Sequence, residues 1–166
     1  MTDHQKDVHQ PHDKGYKFLL SSKKVFIQLL RSFVNQDWVD QVDKTQLIRV
    51  DKSYILQDFH DKEADLVYRM KTKDQEVIFY VLMELQSSVD FQMPYRLLLY
   101  MTEIWRGLLK DTAKQEVSRK DFKLPVIVPI VVYNGKNNWT ANIHFKEMLN
   151  GYERFGDNVL DFIHAN

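Results

Sequence analysis

Two carboxylates and an amide lie where the sequence predicts buried β-strands. Asp65 opens the segment "DLVYRM", and Glu84 and Gln86 follow the apolar run "FYVLM". An unpaired charge inside a buried strand is costly, so a carboxylate there requires a compensating group. An arginine, a protonated neighbour or a metal ion could compensate it, and each alternative implies a different role for Glu84.

The two segments predict a β-hairpin, and its register decides how the carboxylates are arranged. If Asp74 and Gln75 form a two-residue loop, Asp65 faces Glu84 directly. A loop one residue earlier places Asp65 opposite Leu82 and makes Glu84 its diagonal neighbour on the same face. Both registers bring the two Cβ atoms within roughly 5 to 8 Å of each other. Gln86 shares their face because strand side chains alternate with a period of two.

Two carboxylates at this separation repel each other unless one is protonated or a cation lies between them. Oxygen ligands without nearby histidine or cysteine favour a hard cation such as Mg²⁺. Such a cation positions a phosphodiester and activates water. The alternative is structural: Asp65 pairs with Arg69 or Arg96, and Glu84 lies where its strand emerges into solvent. Spacing alone leaves both alternatives open.

Helical spacing of apolar residues predicts the elements that must position the hairpin. A short helix near Asp13 comes first. A second helix is expected to bury a face formed by Phe26, Leu29, Leu30 and Phe33. The longest helix is predicted from about Asp90 to Gln115, and Pro94 restricts its start to residues 90–93 because proline is tolerated only in a first turn.

The segment "LPVIVPIVVYNG" predicts the last strand. Its nearly pure apolar character is typical of the middle of a sheet covered on both faces, although Pro125 and Pro129 each remove a ladder donor. A helix between two strands of one sheet favours a parallel crossover. With the antiparallel hairpin, the prediction is an α/β fold with a mixed sheet and the order helix, three strands, helix, strand.

The composition indicates one globular domain and sets few limits on its partners. The 166 residues include 23 basic and 23 acidic side chains, and 44% are hydrophobic. A balanced charge neither supports nor excludes nucleic-acid binding. The lack of cysteine excludes disulfides, zinc-thiolate sites and thiol nucleophiles. We expect a disordered lead-in at residues 1–11 and a single domain at residues 12–166. Without an apolar signal segment or a run of about 18 apolar residues, a cytoplasmic location and no membrane span are expected.

Five segments, followed by Trp139, together resemble one known family. In chain order they are "HDKGYKFLLSS", "ADLVYRM", "VLMELQSS", "YRLLLYMTEIWRG" and "LPVIVPIVVYNG". They are similar to the Rpn (recombination-promoting nuclease) or YhgA-like transposase family of the PD-(D/E)XK nuclease superfamily. The resemblance runs from about His12 to Trp139, and more weakly to the end of the chain. It implies a restriction-endonuclease-like core with the element order given above.

The resemblance also implies roles for individual residues. It makes Asp65 and Glu84 the ligands of Mg²⁺ or Mn²⁺, with the Leu85 carbonyl and Asp13 as further candidate ligands. Gln86 occupies the position of the superfamily lysine. Its amide carries no positive charge and is no general base, but it can orient the attacking water or contact a phosphate oxygen. Asp65, Glu84 and Gln86 are therefore the candidate catalytic residues.

The implied activity is Mg²⁺-dependent endonucleolytic hydrolysis of DNA, associated with recombination or mobile DNA. Arg96, Lys14 and Lys17 are candidate contacts to the DNA backbone, and for Arg96 an ion pair with Asp65 or Glu84 is the structural alternative. A second hypothesis is a non-catalytic DNA- or protein-binding module on the same fold, the relic of a decayed transposon-borne gene. Family members usually continue further, so the chain is expected to be either truncated at the C-terminus or a naturally short member, and a homodimer is a candidate assembly.

Overall fold

A computed structural model describes residues 10–34, 36–50, 66–71, 75–84 and 88–155. These residues form α1 (Gln10–Leu20), α2 (Lys23–Phe33), β1 (Leu47–Val50), β2 (Leu66–Lys71), β3 (Glu76–Glu84), α3 (Met93–Asp111), α4 (Lys114–Val117) and β4 (Val126–Tyr133). Short 3-10 turns lie at Asp37–Gln41, Phe145–Met148 and Tyr152–Arg154. The class is mixed α/β, and helices, three strands, a helical segment and a last strand follow one another in the predicted order.

The strands form one four-stranded mixed sheet in the order β1-β2-β3-β4. Strands β1, β2 and β3 are antiparallel neighbours, and β3 pairs with β4 in parallel. The parallel crossover through α3 is therefore confirmed. The predicted central position of β4 is wrong for the described sheet, in which β4 is an edge strand. Pro129 is exposed there, and an edge tolerates a residue that lacks a ladder donor.

The β2–β3 hairpin has the second of the two registers considered from the sequence. Leu66 pairs with Val81, and Lys71 pairs with Glu76. This is the register expected from a loop one residue earlier than Asp74–Gln75.

Helices cover both faces of the sheet. On the first face, Tyr68, Phe79 and other inward residues of β2 and β3 pack with Phe26 and Leu30 of α2. On the second face, Ile78, Tyr80 and Leu82 of β3 pack with α3 through Met93, Tyr100 and Ile104. The two sets of β3 residues alternate, as the strand period of two requires. In this way the sheet separates α2 from α3.

The contacts of α1 and α2 explain where the sequence prediction succeeded and where it failed. Helix α1 begins at Gln10, earlier than the predicted start near Asp13. Its last residue, Leu20, accepts a 2.5 Å hydrogen bond from the buried Tyr68 hydroxyl, and burial raises the pKa of Tyr68. In α2, Phe26 is buried as predicted. Phe33, predicted on the same face, is 83% exposed, because it is the last residue of the helix.

Helix α3 is fixed to the sheet along most of its length. Pro94 lies in its first turn, as predicted. The Tyr100 ring lies 5.5 Å from the Tyr80 ring of β3, and the Trp105 Nε1 donates a 2.9 Å hydrogen bond to the Pro125 carbonyl just before β4. At the far end of the helix, Leu109 is 38% exposed.

Within the described ranges, no helix combines the length and the apolar character that a membrane crossing requires. The division into a lead-in and a single domain stays a prediction, and residues 1–9 fall outside the described chain.

Candidate functional site

The structure describes the predicted site residues to different extents. Three of them lie outside the described residues, namely Asp65, Leu85 and Gln86. Three others belong to described elements, but their side chains are outside the described part: Asp13 and Lys14 in α1, and Glu84 at the end of β3. Arg96 and Lys17 are described fully. The catalytic and metal-binding assignments therefore stay predictions.

Glu84 ends β3 at an edge of the sheet that it shares with the end of β4. Because the two strands are parallel, Glu84 pairs with Tyr133, the last residue of β4. The even-numbered residues of β3 up to Leu82 pack toward α3, and position 84 is the next even-numbered position. Asp65 directly precedes β2, whose first residue, Leu66, pairs with Val81. This edge is the candidate functional site.

Arg96 lies in the first turns of α3, the helix that covers this face of the sheet. Its Nη1 forms an ion pair with Oδ2 of Asp90, and the two side chains are 19% and 25% exposed. Oδ1 of Asp90 also accepts a 2.8 Å hydrogen bond from the Gln92 backbone N–H. Asp90 thus fixes both the guanidinium and the chain just before the helix.

Arg69, the other arginine considered as a partner of Asp65, contacts Glu76 through its Nε. Arg69 pairs with Ile78 across the hairpin, so Glu76 is its diagonal neighbour on the same face. Neither Glu76 nor Asp90 was recognised from the sequence as an arginine partner. The diagonal relation would have identified Glu76 once the second register was chosen.

The two described basic candidates, Lys17 and Arg96, are not brought together. Lys17 lies in the last turn of α1, whose end at Leu20 joins the core on the α2 side of the sheet. Arg96 lies on α3, on the opposite side. A DNA strand that contacts both would have to pass around an edge of the sheet.

Tyr133 is a polar group of this edge that sequence reasoning missed. Its ring meets the ring of Trp139 edge-on, with centroids 5.1 Å apart, and Trp139 packs against the core on the α3 side. The Tyr133 hydroxyl is buried and has no hydrogen-bond partner within the described part of the chain. It lies so close to Gly135 that a Cβ atom there would overlap it.

Histidine, cysteine and acidic side chains within the described ranges form no group of three that could hold a metal ion. The predicted ligands Asp65, Leu85 and the Glu84 side chain are outside those ranges.

Comparison with known proteins places the chain in a family. Its sequence matches the family described as "Putative transposase, YhgA-like" over residues 10–164. The chain belongs to this family. It is also 21% identical over 128 residues to Recombination-promoting nuclease RpnD of Escherichia coli O157:H7, and the alignment covers 77% of this chain and 46% of that protein. The chain thus spans less than half the length of this curated relative. No solved structure matches significantly. The predicted family is therefore confirmed.

Proposed function

We propose that the chain is a metal-dependent DNA endonuclease that acts in recombination or on mobile DNA. One observation carries the proposal: β3 ends at Glu84 beside the end of the parallel strand β4, on a sheet whose second face is covered by α3. Open sheets with parallel strands bind ligands beyond the carboxyl ends of those strands. Family membership and the name of the relative, a recombination-promoting nuclease, support a nucleic-acid substrate.

The proposed scaffold is a restriction-endonuclease-like core. Its support is the order of elements, with helices before three antiparallel strands and a helical crossover that leads to a parallel fourth strand. In this scaffold the hairpin contributes the acidic residues, and α3 brings Arg96 to the same face of the sheet.

The residue types of the proposed site fit a hard divalent cation. Asp65, Glu84, the Leu85 carbonyl and Asp13 offer only oxygen donors, and Mg²⁺ or Mn²⁺ prefers such donors. The chain has no cysteine that would favour a softer metal. When bound, the cation would supply positive charge for the phosphate and lower the pKa of a nearby water.

The other proposed roles belong to side chains that bind and orient the substrate. The Gln86 amide donates a hydrogen bond to a phosphate oxygen or orients the attacking water. Arg96 binds a backbone phosphate through its planar guanidinium, which Asp90 holds in place. Lys14 and Lys17 of α1 contribute positive charge to the part of the strand that passes around the edge of the sheet toward the α2 side.

The experiment is a cleavage assay on supercoiled plasmid and on single-stranded DNA, with Mg²⁺, with Mn²⁺ and with EDTA. The parent should cleave only with a divalent cation, and Asp65→Asn and Glu84→Gln should abolish cleavage. Glu116→Gln is the matched control, because it makes the same change at an exposed carboxylate of α4. Cleavage that persists in EDTA, or in Glu84→Gln, would refute the proposal. DNA binding without cleavage under every condition would support the non-catalytic module.

A further inference from the structure

The segment that follows β4 lies at the same edge of the sheet as Glu84. Tyr133 pairs with Glu84, and residues 134–138, "NGKNN", continue from it. We propose that residues 133–138, here called the β4 turn, bind a phosphate of the nucleic-acid backbone. Lys136 supplies the positive charge and the Tyr133 hydroxyl donates a hydrogen bond. This inference rests on the proposed function, because it names a substrate contact at the same site.

The Tyr133 hydroxyl is the first observation that points to a ligand. A buried polar atom without a partner costs free energy, and native proteins keep few of them, often at functional sites. This hydroxyl makes no hydrogen bond to any residue that the structure describes. The side chain packs against Trp139 and the backbone of Gly135, which holds the hydroxyl under the turn. A phosphate oxygen is the kind of acceptor that this hydroxyl lacks.

The charge of this region is the second observation. From Phe122 to Lys146 the sequence contains three lysines and no acidic residue. Lys136 is exposed at the centre of the β4 turn, and the neighbouring Asn134 and Asn137 are exposed as well. Amide and ammonium groups donate hydrogen bonds, so the turn presents donors and positive charge, and its own residues include no carboxylate. An anion that only accepts hydrogen bonds, such as a backbone phosphate, complements it.

The position of the turn explains why a second cationic contact is needed there. The proposed acidic residues at the end of β3 repel a phosphodiester. A lysine at the adjacent end of β4 offsets part of that repulsion. Because α3 carries Arg96 above the same face, the phosphate chain would run between the first turns of α3 and the β4 turn.

The test measures equilibrium binding of a short fluorescent DNA duplex in EDTA, over a range of NaCl concentrations, so that no cleavage occurs. For Lys136→Gln, the slope of log K against log salt should become shallower by about 0.9, the value for one lost phosphate contact. For Tyr133→Phe, affinity should fall about tenfold or more with the slope unchanged, because the lost hydrogen bond is to a charged acceptor but the hydroxyl itself is neutral. Lys120→Gln, at an exposed lysine before β4, is the control and should keep the parent slope.

Melting temperatures separate binding from folding. Tyr133→Phe removes a buried hydroxyl without a partner, so it should melt at the parent temperature or above. A lowered melting temperature with unchanged DNA affinity would make the hydroxyl structural and overturn its assigned role. The charge assignment is overturned if Lys136→Gln keeps the parent slope, or if Lys120→Gln loses as much slope as Lys136→Gln.

The cleavage assay with Mg²⁺ or Mn²⁺ and the binding measurement in EDTA together distinguish this inference from the nuclease proposal. If the parent never cleaves with Mg²⁺ or Mn²⁺, the nuclease proposal fails, while the binding slopes still decide whether the β4 turn contacts phosphate. If the parent cleaves but both turn variants bind DNA like the parent, the phosphate contact fails and the nuclease proposal stands.

Discussion

Substitutions in the Arg96–Asp90 ion pair test whether Arg96 binds DNA or only stabilises the fold. Two substitutions perturb it, Arg96→Ala and Asp90→Asn. Asparagine keeps an oxygen that can accept the hydrogen bond from the Gln92 N–H, which Asp90 accepts at 2.8 Å. Asp90→Asn therefore removes the charge while it preserves the local turn, and it leaves the guanidinium of Arg96 without this carboxylate.

The expected loss of stability follows from the burial of the pair. The two side chains are 19% and 25% exposed, so the pair lies between an exposed pair, worth about 0.2–1 kcal/mol, and a fully buried one, whose disruption costs about 3–5 kcal/mol. Each substitution should cost about 1–3 kcal/mol. In a chain of this size this corresponds to a fall in Tm of about 2–12 °C.

Effects on DNA binding should have opposite signs for the two variants. Arg96→Ala removes a cation, so affinity should fall and the salt dependence should become shallower by about 0.9 in slope. Asp90→Asn removes a negative charge beside the same guanidinium, so affinity should rise. Arg119→Ala is the control, because Arg119 and its partner Asp121 are 64% and 69% exposed, and it should change stability by less than about 1 kcal/mol.

Thermal melts and fluorescence anisotropy with labelled DNA across a NaCl series measure both effects. Loss of stability in both variants, with the parent affinity and the parent salt slope in each, would show that Arg96 acts only in the fold. Such a result would remove it from the DNA-binding surface.

Glu84, Tyr68 and Gly135 each give a further prediction from a single substitution. Mg²⁺ at a hundredfold excess over its Kd should stabilise the parent by about 2.7 kcal/mol, and Glu84→Gln should abolish this gain in thermal melts; a strongly destabilised variant, with no Mg²⁺ effect in the parent, would contradict the metal site. Tyr68→Phe removes the hydrogen bond to the Leu20 carbonyl and should cost about 1–3 kcal/mol in urea unfolding. Burial raises the pKa of Tyr68 in the folded state, so the contribution of the neutral Tyr68 hydroxyl to the free energy of unfolding should be fully present below about pH 10 and be lost as pH rises through the folded pKa. In urea unfolding over this pH range, Tyr68→Phe should lose less stability than the parent. An equal loss in both proteins would contradict the assignment. Gly135→Ala forces the Tyr133 ring to move and should cost about 1–3 kcal/mol with a change in tryptophan fluorescence, whereas an unchanged spectrum and melt would refute the close packing.

Sequence patterns predicted the hairpin and the parallel crossover because local periodicity identifies the elements and a helix between two strands favours a parallel connection. The position of β4 in the sheet depends instead on which strands lie beyond it, and apolar content does not determine that. Its apolar residues pack partly on both faces, with Val128 toward α2 and Val131 toward α3. The proline at position 129 was the better signal, because a missing ladder donor is tolerated at an edge.

The ion pair of Arg96 with Asp90 could not be predicted from the sequence for a different reason. A long guanidinium side chain reaches several carboxylates, and the choice depends on distances that only the folded chain defines. Asp90 is six residues before Arg96, in the loop that leads into α3, and no helical or strand periodicity relates the two. Phe33 shows that helical spacing alone can also mislead. The spacing places Phe33 on the core face, but the helix ends at that residue.

The face of the sheet that carries the proposed chemistry does not depend on which residues form the hairpin loop. The two registers considered for the hairpin differ by two residues, which is the period of strand side chains. A two-residue difference changes which residue stands opposite which, but it leaves every side chain on the same face; only a slip by one residue would reverse the faces. Ile78, Tyr80 and Leu82 are buried against α3, so the even-numbered residues of β3 face α3. Position 84 is therefore expected on the same face in either register. The parallel pairing carries this alternation to β4, where it places the odd-numbered Ile127 and Val131 on that face. Any test that finds Glu84 and Tyr133 acting on opposite sides of the sheet would contradict the strand pairing itself, and not merely the assignment of a catalytic role.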